Sequence, residues 1–224
     1  MTRRQPPLVP VLQSMIERTY GLPPLEGGVA PFLIGDAGLR ALYGPAGRGG
    51  DLEPGRPRLL LRRDWSGYRA VVYYPDALVR HLERNDPRHG LDDRNIDAFA
   101  MLVEELDHLL VVASRFGAGR SVRLVELEMH AMVTKYLVVL HLLGRLTGRR
   151  RISEFHRVWA RHHLFEKYAR EPEGESRRYL EAARLARRYV AWLDGLSAAA
   201  RHTELRRFHA RPFEEQTRRI ALAG

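Results

Sequence analysis

The chain has 224 residues, no Cys, 45% hydrophobic residues and 37 basic against 27 acidic groups, a formal net charge of +10. The hydrophobic fraction excludes wholesale disorder and supports a domain with a proper core, and the absence of Cys excludes a disulfide scaffold, a thiolate zinc site and a Cys nucleophile. All but two of the basic residues, Lys135 and Lys167, are Arg, a bias that genomic base composition explains as readily as selection for phosphate binding.

At the start, Arg3 and Arg4 precede Leu8, Val9, Val11 and Leu12 in the manner of a signal peptide. Pro6, Pro7 and Pro10 interrupt that run, and no small-x-small site follows it. No stretch reaches the ~18 apolar residues of a membrane span, so the expectation is a soluble, cytoplasmic protein. The spacing predicts a short helix over 9–18. Five Gly and three Pro within Gly44–Pro57 predict a loop. Its glycines do not form a phosphate-binding motif, because Gly50 follows Gly49 where a Walker loop needs Lys.

Next come two strand-like runs, Arg58–Arg62 and Tyr68–Tyr74, joined by a turn around Asp64–Gly67. Two strands alone are marginal, and Ala30–Ile34 is the candidate for a third. Beyond Pro75 the pattern is helical. Helices are expected at about 77–84, from Asp92 or Asp93 to Phe116, from Ser121 to about Gly144, at about 153–169 and at 176–196, with two short ones at the end. The polar run Glu171–Glu175 separates the fourth of these from the fifth. The fold class expected is mainly α (α+β). It is a helical bundle centred on an antiparallel hairpin at about 92–146, with a small β-hairpin at about 58–74. Residues 1–91 and 92–224 would form one compact unit.

The two long helices are joined by about four residues, which brings them together antiparallel. On a helical wheel the first is amphipathic, with Leu102, Leu106, Leu109 and Leu110 on one side and Asp97, Glu104, His108 and Arg115 on the other. The usual explanation of the second side is a solvated face. The following helix is apolar around most of its circumference, as a central buried helix is. It nevertheless carries Glu126, His130 and His141 on one side and Glu128 with Lys135 on nearly the opposite one.

Counted outward from the turn, His108 and His130 stand at similar heights. If Glu126 and His130 face the neighbouring helix, they meet Glu104 or Glu105 and His108. Such carboxylate and imidazole sets are how bundles bind divalent transition metals. The candidate metal ligands are therefore Glu104, Glu105, His108, Glu126 and His130. Glu128, Lys135 and His141 are expected in a buried polar network, since burying such groups is costly unless each finds a partner. Glu104, Glu105 and Glu126 also resemble three carboxylates of the all-α nucleoside triphosphate pyrophosphatases, in which they hold Mg²⁺. Met129 stands where that family has an Asp.

The charge is unevenly spread. Residues 145–224 hold 19 Lys/Arg and 10 Asp/Glu, a net +9, and residues 1–144 hold the other 18 and 17, a net +1. Arg149, Arg150, Arg151, Arg157, Arg161, Arg187 and Arg188 outline a face for an acidic partner or a nucleic acid. Interleaved aromatics such as Trp159 and Phe208 sit at core-like spacings and are better explained by packing. Arg84/His89, Arg151/His156 and Arg157/His162 match the R-x-x-x-x-H spacing and so resemble the motif of HEPN ribonucleases. With this many Arg and His, chance alone produces such pairs.

The leading expectation is a non-enzymatic helical interaction protein whose Arg-rich third contacts an acidic protein partner or ligand. The alternatives are a metal-dependent enzyme, hydrolase or oxidoreductase, with a Glu/His site between helices 92–116 and 121–144, and an RNA-binding protein or nuclease.

Overall fold

The computed structural model describes residues 6–44, 55–65, 67–149, 151–167 and 176–222. Within them the chain is mainly helical with one small sheet. Helix α1 (Leu8–Tyr20) buries Leu12, Ile16 and Tyr20, a four-residue spacing that puts all three on one face, and stops at Gly21 in the left-handed region. A short turn leads to β1 (Leu33–Ile34) and then to α2 (Asp36–Tyr43), a helix not expected from the sequence. Asp76 accepts the Asp36 backbone N–H at 3.2 Å, and the Tyr73 hydroxyl donates to Asp36 Oδ1 at 2.7 Å. These tertiary contacts hold a helix only eight residues long.

The expected hairpin forms as β2 (Arg58–Asp64) and β3 (Gly67–Tyr73), antiparallel from the Arg58/Tyr73 pair to the Asp64/Gly67 pair. β3 is central, and β1 adds to its other edge in parallel, with Leu33 opposite Val72. The third strand is thus only the end of the segment expected for it. Val72, Tyr73 and Tyr74 are buried, and the Tyr74 hydroxyl donates to the carbonyl of Leu102. That contact seats the sheet on the helices.

Helix α3 (Asp76–Arg84) precedes the long pair α4 (Ile96–Gly117) and α5 (Leu124–Thr147). Helix α6 (Glu154–Arg161) runs on into a π turn over His162–Glu166. Helices α7 (Ser176–Asp194), α8 (Ala198–Ala210) and α9 (Phe213–Leu222) complete the bundle. Both α4 and α5 are central: α7 and α6 pack on α5, while α1 packs on α4 and on α8. One apolar cluster runs continuously from Leu12 in α1 to Ile220 in α9.

Helix α4 departs from the amphipathic expectation. His108 and Arg115 are buried, and the side assigned to solvent is covered by other helices. Among the described residues no helix is long and apolar enough to cross a membrane.

Candidate functional site

The α4–α5 hairpin brings together two separate polar groups, divided by the helices' own apolar residues. The first lies between α4, α5 and the start of α7. Glu104 and His108 are one turn apart on α4, and Glu128 and Lys135 are two turns apart on α5. One ligand atom from each of Glu104, His108 and Glu128 falls within 4.8 Å of the others. His108 Nδ1 stands 3.5 Å from Glu105 Oε2, and its Nε2 stands 3.9 Å from Glu128 Oε2. Lys135 Nζ donates to Glu104 Oε2.

His108 is only 8% exposed, and neither its Nε2 nor Glu105 Oε2 has a hydrogen-bond partner among the described residues. A buried imidazole nitrogen in that condition is costly. Burial opposes its charge, but the carboxylates of Glu105, Glu104 and Glu128 outweigh burial and push His108 up to about 9. Burial also opposes the Glu104 charge, and Lys135 and His108 overcome it and hold that carboxyl below its ordinary value. Glu128 moves the other way, because burial dominates there and raises it. Lys135 stays charged despite burial, since Glu104 and its neighbours hold its ammonium above the ordinary value. The group thus has three carboxylates against two cations in contact with them, and a proton on His108 competes with any metal for the imidazole.

The second group lies on the other side of α5. Asp107 is fully buried and accepts from His130 Nδ1 at 2.8 Å and from Thr134 Oγ1 at 2.7 Å. Because Thr134 spends its proton on Asp107, the 2.8 Å contact between its oxygen and Tyr20 is donated by the Tyr20 hydroxyl. On the far side of His130, Nε2 lies 3.4 Å from His209 Nδ1, and His209 Nε2 lies 3.2 Å from Ser114 Oγ. One consistent set of tautomers satisfies the chain from Ser114 through His209 and His130 to Asp107. Beside it, Arg115 Nη2 donates to Glu126 Oε1 at 2.6 Å, and Gln216 donates to the same oxygen at 3.3 Å.

The expected five-residue metal set is therefore divided. Glu104, Glu105 and His108 share one group, whereas Glu126 is paired with Arg115 and His130 with Asp107. Glu128, expected in the structural network, takes the place of Glu126 and His130 beside Glu104 and His108. The reason is helical phase. Asp107, one residue and about 100° before His108, faces His130 instead. Lys135 joins Glu104 as well as the Glu128 side. His141 does not belong to that network: it is exposed and lies near Arg18 and Arg145, in a different cleft.

In the basic third, Arg157 and Arg161 turn inward. Both donate to Asp194, which also accepts from the Tyr136 hydroxyl at 2.6 Å. Arg149, Arg151, Arg187 and Arg188 are exposed, and Arg150 lies outside the described residues.

Sequence reasoning missed Asp107, Tyr20, His209, Ser114, Arg115 and Asp194 as partners. Only Asp107 left a signal, a carboxylate with an apolar residue one turn to either side of it, Val103 and Val111. Comparison with family models, with curated proteins and with solved structures finds no match to this chain.

Proposed function

We propose that the protein is a metal-dependent helical protein with a hydrolytic centre built on Glu104, His108 and Glu128. The observation that supports this reading is the buried, unpartnered Nε2 of His108, which lies between two carboxylates that approach it from different helices. Glu105, at Nδ1, stands where a carboxylate orients a metal-binding imidazole. One His and two Glu suit zinc, manganese or iron rather than a soft or an all-oxygen site. Metal–ligand bonds of about 2.0–2.2 Å need the three atoms to close by roughly 1 Å, within the reach of side-chain rotation. Glu104, His108 and Glu128 would hold such a metal as three protein ligands, and the metal would supply the Lewis acidity that activates water for hydrolysis. Lys135 holds Glu104 in place through its ammonium.

Metal analysis after chelation and reconstitution with Zn²⁺, Mn²⁺ or Fe²⁺ tests this. The expected result is about one equivalent of one of them, lost in His108→Ala and in Glu104→Gln. Less than about 0.1 equivalent of all three in the wild-type protein would sink the reading and leave the group as an internal ionic network.

A second reading, an acidic-partner face, has an observation of its own. Phe155 and Val158 stand exposed on α6, near the exposed Arg149 and Arg151 in sequence. Polyglutamate and single-stranded RNA are the probes. Binding of either should fall steeply between about 50 and 200 mM salt and weaken in Arg149→Gln/Arg151→Gln. No binding of either at low salt removes it.

A further inference from the structure

A cleft runs along the solvent side of α5, away from the Glu104–His108–Glu128 group. Its inner part, about 230 Å³, lies between α1, α5 and α8, and its outer part, about 540 Å³, opens toward the end of α5 and the start of α6. The two parts share Leu137, His141 and Arg201 and so form one continuous depression. Its character changes along its length. The inner part is walled by Ile16, Leu137, Val138 and Leu205, and the outer part is bordered by Arg145, Arg149 and Arg157.

None of the described lining residues of either part is Asp or Glu. In a chain with 27 acidic residues, that makes the cleft electrostatically one-signed. Low-dielectric walls focus the field of such a cleft on an anion. Arg157 is already neutralised by Asp194. Arg201 is held by two backbone carbonyls, Nε donating to Leu193 and Nη2 to Leu196, so its cation is positioned without a carboxylate counter-charge. No carboxylate among the described residues pairs with Arg145 or Arg149 either. His202, across the mouth, donates to the carbonyl of Arg18.

We propose that this cleft binds a small amphipathic anion, an apolar chain in the pocket between α1, α5 and α8 and an oxyanion head on Arg201, Arg145 and Arg149. Guanidinium groups take carboxylate and phosphate heads alike, through paired N–H donors. Arg201 is fixed before the ligand arrives, which lowers the ordering cost of binding. His141 lies at the junction and reports on the head. The partial loss of water around it, Arg145 and Arg18 all push its imidazole below the ordinary value, and an anion among those cations, with Arg201 and His202 facing it from α8, reverses that push. The proposal is independent of the metal centre.

Calorimetric titration with four ten-carbon probes provides the test: decanoate, decyl phosphate, decanol and decyltrimethylammonium. Saturable one-to-one binding is expected for an anionic probe, at least about tenfold tighter than for decanol, and none for the cation. Whichever of decanoate and decyl phosphate binds tighter identifies the head. Arg145→Gln/Arg149→Gln, at exposed positions that do not threaten the fold, should weaken the anion about tenfold or more and leave decanol unchanged. In NMR titrations the His141 ring should take up its proton at higher pH when the anionic probe is bound. Equal affinity for decanol and the anions, no saturable binding of either anion, or an unchanged anion affinity in the double variant would each overturn the proposal.

Discussion

His209 sits 8% exposed between His130, Ser114 and the guanidinium groups of Arg115 and Arg120. Burial first, then the neighbouring His130 and the two guanidinium groups, push its imidazole down to about 3. The folded protein therefore holds His209 neutral over a range in which the unfolded chain protonates it, from its ordinary value near 6.5 downward. Its contribution to stability is complete above about pH 6.5 and is lost as the pH falls toward 3, at about 1.4 kcal/mol per pH unit for one proton. Urea unfolding at pH 7 and pH 4.5 checks this: the wild-type protein should lose about 2–3 kcal/mol more than His209→Gln, and equal losses would refute it. Asp107, at the other end of the same chain of hydrogen bonds, carries a different weight. It is 0% exposed and accepts from two buried donors, so Asp107→Ala leaves both unsatisfied. The expected cost is on the order of 3–5 kcal/mol, read as the shift in the urea midpoint.

At the scale of elements, Asp194 at the end of α7 gathers Tyr136 from α5 and Arg157 and Arg161 from α6. The carboxylate is largely covered, its side chain 12% exposed, whereas the two arginines keep 18% and 25% of theirs in water. Removing it strands groups that can partly rehydrate, so Asp194→Ala should cost about 1–3 kcal/mol, less than Asp107→Ala. Because α6 is only eight residues long before its π turn, the loss should show first there. Hydrogen exchange is expected to quicken over 154–166 while α4 and α5 stay protected; unchanged exchange in α6 would show that apolar packing alone holds it. The elements were largely legible in the sequence, because their boundaries follow turn residues and apolar period. The β-hairpin and the long helices fall within a few residues of expectation, whereas α2 depends on Asp76 and Tyr73 from distant parts of the chain. The site was less legible. Reading heights along the two helices put His108 and His130 level, but a helix turns about 100° per residue. That one step gave His130 to Asp107 and gave His108 to Glu128. Nothing in the sequence marks which side of an all-round apolar helix will meet which neighbour.

For the whole molecule the question is whether the +10 charge or the ion pairs set its response to salt. The innermost pairs, Arg115–Glu126 and Lys135–Glu104, have at least one member nearly sealed from water and are screened weakly. Pairs such as Arg123–Glu214 and Arg187–Glu166 are exposed and contribute about 0–1 kcal/mol each. Against them stands the repulsion of a +9 excess gathered on the last 80 residues, which a folded bundle brings closer together than an unfolded chain does. At 0.01 M ionic strength the Debye length is about 30 Å, and at 0.15 M it is about 8 Å, so the first condition lets every arginine of that third sense the others. Of the two effects that salt can screen, this repulsion outweighs the surface pairs. The melting temperature should therefore rise as NaCl is increased from about 10 to 150 mM, and it should rise less in a variant carrying Arg184→Gln, Arg187→Gln and Arg207→Gln, exposed positions on α7 and α8. A melting temperature that falls with added NaCl would mean that the surface pairs outweigh the collective charge.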